Sequence, residues 1–599
     1  MKRLSALDAL FLYMETPETP MHVASLTIFK PETPGGDLFA RFRAHTAARL
    51  DLLPSYRRRL ESTPLGLDHP VWVVDDKLDL DYHLRHAALP KPGGMAELRA
   101  LVAQLHAIPL DRTRPLWEYT FIEGLEDGAF AVYVKVHHSA MDGVAGMATL
   151  GVIYDFDPED EHENLPGRIV PPDPEPSDTI ELATSAIGDF VRQGWRAVSA
   201  LPSVAKALTR TAPHFVRDAR FLFGYVRDMP RTPFNAAISG HRVYATASLP
   251  FAEVRALGRS RGVTVNDVVL ALTAGALRRY LADRGALPEK PLTAGVPASL
   301  RPTGDAHLNN QVIFTLSRLP TDVAEPLPRL AAAKAAGQEA KDLFADMREF
   351  VTTNVSILGA PLVIMGLARL WAGARAANYV WPSFNLVVSN VPGPKKPVYC
   401  VGAPATHYFP LSIPYHGTAI NITVQSYLDT LDFGLIACSE TVPDAQTIAD
   451  SIVEEFAALK AAEAECARPD IVQRIALSLD AEPPAAAKPI TLGEAKPPPA
   501  PAPSPPPGQS ASPLGREIDA LGEATEALRA RLAKKDTAAA AAAEKAAPRA
   551  QRRRAAKPAK GSIEAKKSKP RSKAVRPAAA EAKAGRRSAR RRAPGKAKR

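Results

Sequence analysis

The chain has 599 residues, 46% of them hydrophobic, enough for several folded units and too apolar for a wholly disordered protein. Its three cysteines, Cys400, Cys438 and Cys466, lie far apart with no CxxC pair, which argues against a disulfide framework or a zinc site and fits a reducing compartment. The net charge of +11 is carried by one end: residues 551–599 hold 20 Lys or Arg and 2 acids, leaving 55 basic and 62 acidic residues before them.

The chain opens Met1-Lys-Arg-Leu-Ser-Ala-Leu-Asp8, basic like a leader, but Asp8 and Glu15 interrupt the apolar run, so no signal peptide is expected. Alternation predicts a strand over residues 23–29, and a helix follows around 38–50. Residues 54–57 mark a turn, 71–74 a short strand and 95–106 a helix that ends before Pro109. The stretch 110–118, Leu-Asp-Arg-Thr-Arg-Pro-Leu-Trp-Glu, mixes charge with an aromatic. It leads into a strand at 119–122, which a turn at 126–128 should pair with the next strand, 130–137.

That next strand places Phe130, Val132, Val134 and Val136 on one face and runs into His137-His138-Ser-Ala-Met-Asp142-Gly143. Adjacent histidines on a strand face opposite sides, so one metal ion held by both is not expected. One imidazole can take a proton at neutral pH. A carboxylate a few residues on can orient it or clamp an arginine. A glycine lets backbone approach a substrate. Residues 144–154 continue as an apolar helix.

Residues 155–178 are acidic and proline-rich, a surface linker. Residues 179–228 have a helical pattern with Trp195, Phe215 and Phe221, and are read either as a bridge packed on the core or as a membrane-facing amphipathic segment. A second unit follows, with strands at 243–249, 292–296, 312–316, 384–389, 420–427 and 432–438. Its helices are expected over 268–280, entered through Thr264-Val-Asn-Asp267, and over 445–461. The longest apolar run, 355–368, contains Pro361 and is too short to span a bilayer; it reads as a core or interfacial helix. Strands and helices alternate in both units, so the fold class is mixed α/β.

His137-His138-x-x-x-Asp142-Gly143 resembles the HHxxxDG motif of the CoA-dependent acyltransferase superfamily. Further stretches narrow the resemblance to the wax ester synthase/diacylglycerol acyltransferase family. They are Leu4-Ser-Ala-Leu-Asp8, Pro20-Met-His22, Pro115-Leu-Trp-Glu118, Val265-Asn-Asp267, Val296-Pro-Ala-Ser-Leu-Arg301 and Ser389-Asn-Val-Pro-Gly-Pro394, in the family's order over about residues 1–460. The resemblance implies two chloramphenicol-acetyltransferase-like subdomains with the active site between them. It also implies acyl transfer from acyl-CoA to an alcohol in a ternary complex without an acyl-enzyme. The product would be triacylglycerol or wax ester, the acceptor being diacylglycerol or a long-chain alcohol. Two alternatives stand beside this: an acyltransferase for a complex lipid using another acyl donor, and a non-enzymatic lipid-inclusion scaffold tethered to nucleic acid.

His138 matches the family's catalytic position and is the expected general base, with His137 in support, Asp142 organising the turn and Gly143 admitting substrate. Asn266 is read either as the donor to the thioester oxyanion or as a helix cap with Asp267; Ser389 and Asn390 stand behind it. Pro115, Leu116 and Trp117 shape an acyl channel or form a structural corner. Arg301 meets a CoA phosphate or a carboxylate such as Asp142. No metal or cofactor is expected beyond acyl-CoA as substrate. The enzyme should be cytoplasmic and peripheral to a membrane or lipid inclusion, with no transmembrane helix.

The expected layout is an N-terminal acyltransferase subdomain (1–170), a helical linker (171–234) and a C-terminal subdomain (235–465). A Pro/Ala-rich linker (466–513), a short helical segment (514–546) and a disordered tail (547–599) follow. The tail is a flexible polycation suited to nucleic acid or anionic lipid.

Overall fold

The central strand of the first sheet is the one that ends at the histidine pair. The computed structural model describes residues 2–32, 35–63, 69–140, 153–157, 229–299, 312–354, 361–380 and 382–466. The chain forms two compact units, 1–485 and 486–599, and every described residue belongs to the first. The helix predicted over 144–154 up to residue 152, the linker and helical pattern predicted over 155–228 from residue 158 on, and everything predicted after 466 lie outside the described residues.

In the first half the elements are β1 (Lys2–Arg3), α1 (Ala6–Met14), β2 (His22–Phe29), α2 (Leu38–Arg49), β3 (Arg58–Glu61) and β4 (Val71–Val74). They continue through α3 (Leu80–His83), β5 (Leu84–Ala88), α4 (Met95–Ala107), β6 (Trp117–Glu123) and β7 (Phe130–His137). The second half begins β8 (Arg242–Pro250), α5 (Phe251–Ser260), α6 (Val265–Ala282), β9 (Leu292–Ser299), β10 (Val312–Leu319), α7 (Pro326–Asn354) and α8 (Pro361–Gly373). It ends with β11 (Leu386–Val391), β12 (Tyr399–Cys400), β13 (Ala403–Leu411), β14 (Ile420–Tyr427), β15 (Thr430–Cys438) and α9 (Ala445–Cys466).

Two six-stranded mixed sheets dominate, in the orders β12-β13-β2-β7-β6-β5 and β10-β9-β11-β14-β15-β8; β1, β4 and β3 form a small third sheet. In the first, only β5 and β6 run parallel; in the second, β11 is parallel to both neighbours. The mixed α/β expectation holds. One piece of the predicted C-terminal subdomain belongs elsewhere in space: β12 and β13 complete the first sheet, β13 pairing antiparallel with β2. That exchange is tied down by polar groups. Asp432 on β15 is fully buried; it accepts from the Tyr408 amide at 2.8 Å and from Ser248 Oγ at 2.7 Å. Gly434 permits the approach, since a Cβ there would lie 1.8 Å from the Pro410 carbonyl.

β7 sits between β2 and β6 and is buried on both faces, not only the face carrying Phe130, Val132, Val134 and Val136. The opposite face, with Ala131 and Tyr133, packs with Leu98, Val102 and Ala103 of α4. Lys135 on that face is 2% exposed, and its ammonium is compensated by Glu118 at 3.3 Å and the carbonyls of Leu105 and Ile108. In the second half, α6 is the core helix. Val268, Val269, Leu270, Leu272 and Leu277 are almost wholly buried against the second sheet. Each such aliphatic side chain contributes about 1.5–3 kcal/mol. Pro361 starts α8 rather than interrupting it, as proline's fixed φ allows. Among the described residues no helix is long and apolar enough to cross a membrane.

Candidate active site

α1 begins with Ser5, whose hydroxyl accepts from the Asp8 amide at 3.1 Å and donates to its carboxylate at 2.6 Å. The opening Leu-Ser-Ala-Leu-Asp is thus a helix start. The helix carries Phe11 and ends at Glu15, and both residues touch the histidine pair.

Strand β7 stops at His137, so strand alternation does not extend to His138, which lies in the following turn. The Ala140 amide donates to the His137 carbonyl at 2.9 Å, and the His138 amide donates to the Met21 carbonyl at 2.8 Å. Both rings face α1. The His138 imidazole stacks on Phe11 with ring centroids 4.0 Å apart and planes 4° from parallel. His138 is partly exposed, whereas His137 is fully buried.

His137 has both ring nitrogens engaged. Its Nδ1 receives the Ser139 amide at 3.1 Å and the Ser139 hydroxyl at 2.8 Å. An amide can only donate, so Nδ1 is the acceptor and Nε2 carries the proton. Nε2–H donates to Glu15 Oε2 at 3.1 Å. Burial pulls the His137 pKa below its ordinary value, against the raising effect of Glu15, so the ring is neutral near pH 7.

Glu15 is the hub. Its Oε2 also accepts from the Met21 amide at 2.9 Å, and its Oε1 accepts from Arg112 Nε at 2.9 Å. Burial alone would raise its pKa; the His137 hydrogen bond, positive charge and the Met21 amide outweigh that and bring it to about 2. Arg112 in turn donates to the Leu12 carbonyl at 2.6 Å, capping the last turn of α1. One carboxylate therefore holds the His137 ring and the Met21 backbone, and the Met21 carbonyl holds the His138 amide.

Leu116 lies beside this network, its carbonyl accepting from the His137 amide at 3.0 Å and its side chain packing with Leu4, Ala9, Leu12 and Tyr13. Trp117 is 1% exposed; its indole N–H donates to the Tyr56 carbonyl at 2.8 Å, and its ring stacks on His83 and Tyr56. Pro115 precedes this corner and is buried. His22, from the Pro-Met-His stretch, pairs across from His137 and donates Nε2–H to the His106 carbonyl at 2.8 Å.

In the second lobe the cap of α6 is Thr264. Its hydroxyl accepts from the Asp267 amide at 3.2 Å, and Asp267 Oδ2 accepts from the Thr264 amide at 2.8 Å. Asn266 is not part of that cap. It lines a cavity of about 220 Å³ with Leu270, Val296, Pro297, Ala298 and Lys341. This gathers Asn266 with the start of the Val296-Pro-Ala-Ser-Leu-Arg301 stretch; His138 is not in the lining. Ser389 is half-buried and Asn390 exposed on β11, paired with Thr423 and Val424 of β14 and also outside that lining. Gly393, further along the same stretch, meets β14: a Cβ there would lie 1.8 Å from the Ser426 carbonyl. Asp142, Gly143 and Arg301 lie outside the described residues.

Phe11, Glu15, Arg112 and Ser139 were not predicted as site residues. Two signals were available: an acid, Glu15, interrupting an apolar start, and charge crowded into 110–118.

The two lobes, each built on a mixed sheet, have the architecture of a CoA-dependent acyltransferase. The model of the wax ester synthase/diacylglycerol acyltransferase catalytic domain matches residues 4–269, and that of the WS/DGAT C-terminal domain matches 308–460. Rv1760 of Mycobacterium tuberculosis, a candidate diacylglycerol O-acyltransferase by name, is 35% identical over 76% of this chain and 89% of its own length. The tgs2 protein of the same organism, named a probable diacylglycerol O-acyltransferase, is 36% identical over 74% of this chain and 95% of its own. The solved wax ester synthase/diacylglycerol acyltransferase from Marinobacter aquaeolei VT8 is 34% identical. It covers 77% of this chain and 99% of its own, with a TM-score of 0.55. The chain belongs to the wax ester synthase/diacylglycerol acyltransferase family and is an acyltransferase.

Proposed function

We propose that the enzyme transfers a fatty acyl group from acyl-CoA to the hydroxyl of diacylglycerol, with a long-chain alcohol as second acceptor, and that His138 is the general base. The observation that carries the assignment is the contrast within the pair: His137 is fully buried, with Nδ1 accepting from Ser139 and Nε2–H donating to Glu15, whereas His138 lies partly exposed in the turn, where an acceptor hydroxyl can reach it. His138 takes the hydroxyl proton as the oxygen attacks the thioester carbonyl. The tetrahedral intermediate collapses, the C–S bond breaks, and the imidazolium returns the proton to the CoA sulfur.

The oxyanion needs a donor, and Asn266 is our assignment, because Thr264 and Asp267 make the helix cap between them and Asn266 lines the cavity. Ser389 and Asn390 are the reserve donors. The residues outside the described ones keep the roles expected of them: Asp142 to organise the turn, Gly143 to admit substrate, and Arg301 to meet CoA phosphate or a carboxylate. An acceptor almost absent from bulk water supports a peripheral position at a membrane or lipid inclusion, and the sparse, unpaired cysteines support the cytoplasm. The basic tail adds contact with nucleic acid or anionic lipid.

The test is an assay of purified protein with acyl-CoA and either diacylglycerol or a long-chain alcohol. His138→Ala should abolish turnover while circular dichroism stays unchanged, and His137→Ala should lose less. Near-wild-type activity of His138→Ala would overturn the assignment.

A further inference from the structure

Eleven large hydrophobic side chains are exposed among the described residues, and four of them, Leu370, Trp371, Tyr379 and Val380, fall within eleven positions. The others are scattered singly, as on any soluble protein. The cluster occupies the last turn of α8 and the short turn after it. Tyr379 is 81% exposed and Leu370 67%.

This exposure is not fraying. The turn is pinned from its inner side, where Arg231 Nη2 donates to the Ala377 carbonyl at 2.8 Å and the Ala237 amide donates to Asn378 Oδ1 at 2.8 Å. Ala377 is buried. Residues 361–380 contain no acid, and their two cations, Arg369 and Arg375, are exposed beside the apolar cluster. Trp and Tyr with aliphatic neighbours and flanking arginines are the chemistry of the membrane–water interface: rings at headgroup level, guanidinium groups on lipid phosphate. The opposite side of α8 points to the catalytic lobe. Met365 packs on the cluster of Leu12 and Leu116, which Ala140 of the histidine turn also joins.

We infer that α8 and the turn after it are the membrane-docking face of this enzyme, that the occupant is the anionic phospholipid surface of a bilayer, and that Leu370, Trp371 and Tyr379 enter it. Charge complementarity selects an anionic layer over a zwitterionic one. The lipid surface then lies across one helix from α1 and its Phe11–His138 stack, so a diacylglycerol leaving the bilayer has a short path to the base. This last step rests on the acceptor proposed above; the docking face does not.

The experiment uses the full chain with phosphatidylcholine vesicles, with and without phosphatidylglycerol, at physiological salt; the basic tail is the same in wild type and variant, so the difference between them reads the α8 face. Wild type should bind the phosphatidylglycerol vesicles at least tenfold more tightly than the triple variant Leu370→Ala, Trp371→Ala, Tyr379→Ala. Brominated phospholipid should quench wild-type tryptophan fluorescence more than that of Trp371→Phe. The triple variant should keep its rate on a water-soluble alcohol and lose at least tenfold on diacylglycerol in vesicles. Equal binding by the triple variant, or no Trp371-dependent quenching, overturns the docking face. If quenching holds while neither acceptor is turned over, the acyl-acceptor reading fails and the docking face stands.

Discussion

Glu15 offers the sharpest test of how the histidine pair is held. Replacing it by Leu removes the acceptor for His137 Nε2–H, for the Met21 amide and for Arg112 together. The first two donors are left in a buried site, at about 1–3 kcal/mol each, so a loss of about 2–6 kcal/mol in stability is expected. Glu15→Gln differs in kind. Its carboxamide oxygen can still accept from His137 and Met21, which leaves its NH2 against Arg112. Only the charge-assisted contact is lost, about 1.5–3 kcal/mol, and the lower end applies because Arg112 is 37% exposed on its side chain. The kinetic consequences should separate further. With Leu the Met21 carbonyl no longer fixes the His138 amide firmly, and a displacement of about 1 Å costs on the order of 100-fold in kcat. With Gln the scaffold remains, and kcat should stay within a few-fold. Urea unfolding gives the stabilities, and steady-state assays at a temperature where both variants are folded give kcat and KM for acyl-CoA. A folded Leu variant with wild-type kcat would refute the reasoning and reduce Glu15 to a structural acid.

Phe11→Leu keeps apolar volume but loses the ring stack on His138; an aromatic pair is worth about 0.5–1.5 kcal/mol, so kcat should fall by roughly 2- to 12-fold with KM for acyl-CoA unchanged. Stability should also fall with pH below about 6.5, because burial holds His22, His106 and His137 below their ordinary pKa, His106 at about 3, and only the unfolded chain takes up those protons. His106 contributes a loss of about 1.4 kcal/mol per pH unit over that range, and His22 and His137 act in the same direction, so urea midpoints that do not move between pH 7 and 5 would exclude this. Glu15, depressed to about 2, adds its own loss only below about pH 4.5. Deleting residues 480–599 should leave the rate per molecule nearly unchanged and abolish low-salt gel retardation of DNA. The full chain should lose that binding between about 50 and 200 mM salt, and an inactive truncation would make the tail part of the catalyst.

Local pattern carried far into this fold. Alternation placed β2, β7 and β14 nearly to the residue, because each pairs in a regular ladder whose period shows in its own sequence. Thr264-Val-Asn-Asp267 announced α6 because its capping box is made within four residues. β13 was missed. Its sequence, Ala-Pro-Ala-Thr-His-Tyr-Phe-Pro-Leu, carries two prolines and has a register shift between Ala405 and His407, and what makes it a strand is β2, far away in the chain. α7 was passed over because its many small and charged residues give a weak apolar stripe; α5 does carry one, with Val254 and Leu257 buried, but spans only ten residues.

The candidate site divides along the same line. His137, His138 and the Leu116–Trp117 corner are adjacent because β6 and β7 are joined by a short turn, so a local motif and its neighbour in sequence are also neighbours in space. The residues that fix the histidines are not local. Glu15 lies 122 residues from His137 in the chain, and Arg112 lies 97 from Glu15. Nothing in a stretch of sequence says which distant carboxylate will meet a buried imidazole. What the sequence does show is an anomaly: a helix of mainly apolar residues ending in an acid, with a basic-aromatic run later in the chain. Burial turns that anomaly into a requirement. A carboxylate with an 8% exposed side chain needs donors, and the imidazole, the guanidinium and the Met21 amide supply them. The acid that interrupts the apolar start is therefore the group that holds His137 and, through Met21, the turn that carries the proposed base.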